Sequence, residues 1–166
     1  YPLRRQRQMC IRDSPILLEL QALVGGTTYG YPQRVTSGFD PKRLALLLAI
    51  LEKRQRIPFG DKDVFVNITG GLRIFETAID LAIVIALVSS LEEAAVMDKT
   101  IIIGEVGLGG EIRQVPGLER RLLEAQRLGF TRAIIPGGMK LDKQALNKIH
   151  IESAGALSDA ISLALA

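Results

Sequence analysis

The chain of 166 residues holds one cysteine, Cys10, and one histidine, His150, and these two counts exclude most of the chemistry a hydrolase uses. Neither a zinc site nor a Ser-His-Asp or Cys-His nucleophile can be assembled from them. His150 reads as an ordinary, structurally placed histidine, and one cysteine cannot form an internal disulfide, which fits a reducing cytoplasm. No G-x-x-x-x-G-K-[ST] run occurs, so the chain lacks that cradle of backbone amides and lysine for nucleotide phosphates. The stretch GLGG at 107–110 lies between two β-prone arms and does not open a helix, which favours a tight turn over a phosphate site. One chemistry is left open, a serine hydroxyl whose proton passes to a desolvated lysine amine.

The elements that would position such a pair follow from the hydrophobic pattern. Ile16 to Val24 alternates as a half-buried strand, and residues 25–39 read as a long loop rich in Gly, Thr, Tyr and Pro. Asp40 caps a helix with Pro41 at its first position, running to about Arg56 with Leu44, Leu47, Leu48 and Leu51 as its apolar stripe. DVFVNIT at 63–69 predicts a second strand, closed by Gly70 and Gly71. From Glu76 to Leu91 the pattern is helical and apolar nearly all round after Asp80, as the central buried helix of a domain would be. Thr100 to Ile103 reads as a short strand, and GEVGLGGEIRQV as a hairpin. A helix over 118–128, a buried strand over 132–136, a short helix over 142–148, a strand at His150 and Ile151, and a closing helix over 156–166 complete the reading. Alternating helices and strands with one hairpin predict an α/β (α+β) sandwich with a mixed sheet.

Composition bounds the function. With 48% hydrophobic residues the chain can bury one core, and no apolar run reaches the length needed to span a bilayer, so no membrane role is expected. The formal charge of +3 is local: residues 1–14 hold Arg4, Arg5, Arg7 and Arg12 against Asp13, while the remainder balances 17 basic and 17 acidic side chains. A polyanion partner would therefore have to be met by basic residues gathered on one face. Residues 1–14 lack helix or strand periodicity and begin at Tyr1, so they read as a disordered or non-native segment, or as a nucleic-acid-binding arm, set apart from a single domain over 15–166.

The order ALVSSL, IIIGEVGLGGEIRQVPGLERRLLEAQRLGFTRAIIP, from Ala86 to Pro136, resembles the proteolytic domain of Lon proteases over about residues 60–136. That resemblance implies where a nucleophile and a base would stand. Counting back eight residues from the ALVSSL segment reaches Ala78 at the serine position, and PGLERR places Arg121 at the lysine position. Alanine carries no nucleophilic atom, and a guanidinium, which stays protonated, is no base near neutral pH. Ser89 and Ser90 fall on a different turn and read as helix-surface or packing residues. The resemblance to the C-terminal Lon-like domain of the bacterial RadA (Sms) family is closer. It rests on QALV at 21–24, YGYPQR at 29–34, RLALLLAILEKR at 43–54, DVFVNITGGLRI at 63–74 and GEVGLGGEIR at 104–113, and spans about residues 16–166.

This resemblance implies the non-proteolytic part of a DNA repair and recombination ATPase that assembles as a hexameric ring and assists branch migration. ATP with Mg, and Zn in a ribbon module, would belong to segments outside this chain. The implied partners are single-stranded or branched DNA, further copies of the chain and recombination proteins such as RecA. Lys42, Lys53 and Arg56 fall within about 60° on an ideal helical wheel, with Arg34 nearby, as a candidate DNA face. The same side chains also fit a solvated helix face with Glu52 partly neutralising it. At the degenerate dyad, Arg121 borders an apolar stripe and needs an acid, for which Glu76 and Asp80 are best placed. The competing classes are an active serine-lysine peptidase and a purely structural oligomerisation module.

Overall fold

The computed structural model describes residues 4–9, 17–28 and 30–165. Its core is built where two alternating strands meet one apolar helix. Strand β2 (Leu17–Gly26) buries Leu18, Leu20, Ala22 and Val24, while strand β4 (Lys62–Ile68) buries Val64, Val66 and Ile68. Antiparallel pairing that sets Leu20 opposite Ile68 and Val24 opposite Val64 puts both rows on one face. Helix α2 (Asp80–Leu91) is buried against that face from Asp80 to Ser90, as its sequence, apolar on all sides, requires. Its last turn is stitched to the sheet by Ser90, whose hydroxyl oxygen accepts the Val24 amide at 2.9 Å. The Ser89 hydroxyl donates to the Ala94 carbonyl, so both serines serve packing.

Among the described residues the main sheet has seven strands. Following β1 (Arg4–Met9) and β2 come β3 (Arg34–Ser37), β4, β5 (Thr100–Ile102), β8 (Arg132–Pro136) and β9 (His150–Ala154), in the spatial order β3-β4-β2-β1-β5-β8-β9. The β5, β8 and β9 ladders are parallel and β1-β2-β4 antiparallel, so the sheet is mixed. Two strands differ from the sequence reading. The backbone of Arg4–Met9, set apart from the domain there, pairs antiparallel with β2 and parallel with β5 at Arg7 and Ile101. Arg34–Ser37, inside the expected loop, is a short, largely exposed edge strand parallel to β4, which leaves no alternating apolar signature.

Helix α1 (Pro41–Ile50) begins where expected, with the Asp40 carboxylate accepting the Lys42 amide at 3.0 Å. It continues as a π-turn over Leu51–Gln55 and ends at Arg56 in a left-handed conformation, φ 58°. The hairpin of β6 (Glu105–Val106) and β7 (Ile112–Arg113) closes through Gly110, φ 84°, whose amide donates to the Gly107 carbonyl at 3.0 Å. Helix α3 (Leu118–Arg127) precedes β8, and α4 (Leu157–Ala164) ends the fold. The expected helix over 142–148 is a set of turns: Leu146 donates to the Asp142 carbonyl, but the Lys148 amide is taken at 2.8 Å by the Gln126 side chain of α3, ending the ladder. Among the described residues no helix is long and apolar enough to cross a membrane.

Candidate functional site

Ala78 and Arg121, the positions expected for a degenerate dyad, both lie near the head of the buried helix, since Arg121 pairs with Glu76, two residues before Ala78. Thr77–Ile79 forms a 3-10 turn leading into α2, and Ala78 within it is 1% exposed. The Ala78 carbonyl accepts the Gly104 amide at 3.0 Å, and the Gly104 carbonyl accepts the Leu81 amide at 3.0 Å. This exchange fastens the turn to the chain leaving β5. It needs a glycine at 104, because a Cβ there would stand 2.9 Å from an Ile112 methyl.

Arg121, on α3, is 8% exposed and directs its guanidinium to the Glu76 carboxylate, with Nε donating to the Pro116 carbonyl at 3.2 Å. Of the two acids named for it, Glu76 is the partner. Asp80 is not: it is wholly buried one turn further on and is claimed by Arg43 of α1. Arg43 Nε donates to Asp80 Oδ1 at 3.1 Å and Nη2 to Oδ2, while the Val106 amide donates to Oδ2 at 3.2 Å and the Val106 carbonyl accepts from Nη2 at 3.1 Å. The pair thus bridges α1, α2 and the hairpin. Burial pushes the Asp80 carboxyl above its ordinary value, opposed by the Arg43 guanidinium, and the same carboxylate holds Arg43 above its own. The Thr77 hydroxyl donates to Glu105 at 2.6 Å, and Arg113 reaches the other Glu105 oxygen at 3.7 Å.

Arg43 was missed by the sequence reading, although a signal existed. Arg43, Leu47 and Ile50 are spaced i, i+4, i+7, which puts the guanidinium in line with two buried side chains. An aspartate opening an otherwise apolar helix required such a partner. Chemically the cluster is an internal charge lattice. Among the described residues no lysine is buried, and the buried ionisable side chains are Asp80 and Arg121. The hairpin turn is likewise occupied by its own acid, since the Gly109 amide donates to the Glu111 carboxylate at 2.9 Å.

The four candidate nucleic-acid contacts are all exposed. Their shared helical face does not follow from an ideal wheel, because a π-turn advances less per residue than an α-helix and Arg56 has left the helix altogether. Lys42 stands at the start of α1 and Lys53 in the π-turn. Arg34, on the edge strand β3, donates to the Phe59 carbonyl at 3.2 Å.

Fold and cluster together define a mixed α/β domain whose helix head is locked by two arginine-carboxylate pairs, each with one buried member. A family model described as subunit ChlI of Mg-chelatase matches residues 43–138, more than half of the chain, and the chain belongs to that family. It is also similar to proteins named DNA repair protein RadA. That of Chlamydia pneumoniae is 47% identical over 152 residues, 90% of this chain and 34% of the relative. That of Aquifex aeolicus is 52% identical over 130 residues, 78% of the chain and 29% of the relative, and that of Escherichia coli 43% over 149 residues, 90% and 32%. The chain therefore spans about a third of the length of the curated relatives it matches.

Proposed function

We propose that this chain is a Lon-like, non-proteolytic domain of a RadA-type DNA repair and recombination protein, acting in the cytoplasm as a ring scaffold and DNA contact. The observation that carries the non-proteolytic reading is the head of α2. A methyl group, Ala78, occupies the nucleophile position and a buried arginine, tied to Glu76, the base position. A permanent cation accepts no proton, so this cluster supports architecture and not acyl transfer. The similarity to DNA repair protein RadA over nearly the whole chain supports the repair context. In this reading ATP with Mg, and Zn, are handled by other parts of the longer protein, branch migration is the work of the assembled hexamer, and a recombinase such as RecA is a partner.

Exposed Lys42, Lys53 and Arg56, with Arg34, are the DNA contacts of this proposal. Three or four phosphate contacts on single-stranded DNA would give a log-log salt slope of about −2 to −3, weak for one copy and multiplied by effective concentration in a ring. Fluorescence anisotropy with labelled single-stranded and branched DNA, over a salt series, tests it. The full chain is used, because residues 4–9 pair into the sheet. Lys42→Glu/Lys53→Glu should lower affinity about tenfold or more and flatten the slope by about 1.4, taking about 0.7 per lost contact. Binding absent from the parent chain, or indifferent to salt and to the charge reversal, would overturn the DNA contact in favour of an oligomerisation module.

A further inference from the structure

At the far edge of the sheet from β3, strand β9 has no strand beyond it among the described residues. Its pairing with β8 fixes which backbone groups are committed. The His150 amide donates to the Thr131 carbonyl at 2.8 Å, and the Ala154 carbonyl accepts the Gly137 amide at 3.1 Å, so His150, Glu152 and Ala154 face β8. In a parallel ladder the intervening residues, Ile151 and Ser153, then turn their N–H and C=O groups outward. Beside this edge lies a groove of about 400 Å³, walled on its other side by Met139, Leu141, Leu146 and Ile149 of the 137–149 segment. Lys143 lines it, and Lys140 and Lys148 are exposed on the same segment. The segment's acid, Asp142, is engaged with the amides of Gln144 and Ala145, and no ion pair to Lys140, Lys143 or Lys148 occurs among the described residues.

An open strand edge, an apolar wall and a rim with three exposed lysines to one aspartate together describe one kind of occupant. The geometry points to β9 as a docking strand for an extended, acidic peptide of a partner protein, which adds to the sheet at Ile151 and Ser153. Apolar side chains of the peptide enter the groove against Leu146 and Ile149, and its carboxylates meet Lys143 and its neighbours. Nucleic acid fits this place less well, since the lining offers only the His150 ring on which to stack a base, while the outward amides and carbonyls match a peptide backbone. The site lies apart from the head of α2 and does not depend on the reading of that cluster.

The test uses the full chain and a fluorescein-labelled ten-residue peptide alternating valine with glutamate, with an alternating valine-lysine peptide and a single-stranded oligonucleotide as comparators. Binding is followed by anisotropy, and the Ile151 and Ser153 amides by hydrogen exchange. The acidic peptide should bind at least tenfold more tightly than the basic one and protect both amides. Ser153→Pro removes an outward N–H that the ladder does not use, so the fold should melt as the parent does while peptide affinity falls at least tenfold. Lys143→Glu should weaken binding about threefold or more without touching the strand. Equal binding of both peptides, unchanged affinity in Ser153→Pro, protection of these amides by the oligonucleotide, or their protection by self-association of the chain without peptide would each overturn the proposal.

Discussion

Replacing Arg43 with methionine keeps most of the side-chain volume and removes the cation that faces Asp80. Asp80 has no solvent exposure, while the Arg43 side chain is 23% exposed, so the two halves of the pair are not equivalent. A carboxylate left in that position keeps the Val106 amide at 3.2 Å as its remaining donor. Breaking a buried pair from this side costs about 3–5 kcal/mol near neutral pH, which for a domain of this size lowers Tm by about 10 °C. The loss should depend on pH in a fixed direction. Burial already raises the Asp80 carboxyl, and without Arg43 the opposing pull disappears, so the folded-state value rises further above the unfolded one. A group raised in this way contributes its stability in full below the unfolded value of about 3.9 and loses it as pH climbs through the folded value, at about 1.4 kcal/mol per unit of separation. The gap between parent and Arg43→Met should therefore be smallest near pH 5 and widest near pH 8 in urea melts. In Asp80→Asn no carboxyl titrates and Arg43 can extend to water, so the loss should be about 1–2 kcal/mol and nearly flat with pH. A loss below about 1 kcal/mol for Arg43→Met, or one that does not change between pH 5 and pH 8, would refute the reasoning.

Arg121→Met should cost less than Arg43→Met, about 1–3 kcal/mol in the same melts, because the freed Glu76 side chain is 30% exposed and can rehydrate. Ser90→Ala leaves the buried Val24 amide without its acceptor and should cost about 1–3 kcal/mol, with the Val24 amide exchanging faster by NMR. Gly38→Ala places a Cβ 2.4 Å from the Leu72 carbonyl oxygen at φ 82°, so a loss of at least about 2 kcal/mol is expected from a urea titration.

The central elements were legible because burial imposes a period on them. β2 and β4 alternate, α2 is apolar on all sides, and the hairpin carries its own turn glycines. The edges of the fold left weaker marks. Arg34–Ser37 is short and largely exposed, so nothing selects alternation, and β1 carries no apolar pattern of its own. The π-turn at Leu51–Gln55 and the arrested turn at Asp142 are decided by tertiary partners, Gln126 among them. At the site, the need of Arg121 for an acid could be read from its place beside an apolar stripe. Which acid could not, because Glu76 and Asp80 lie one turn apart and the competitor, Arg43, comes from a helix 37 residues away.

The most direct measurement is turnover. The chain is incubated with unfolded casein and with a fluorogenic peptide beside its Ala78→Ser/Arg121→Lys variant, in which a hydroxyl and an amine are placed near the head of α2. A methyl group and a guanidinium locked on Glu76 should leave the parent chain at the rate of buffer alone. Cleavage by the parent chain that follows its concentration through purification would contradict the account.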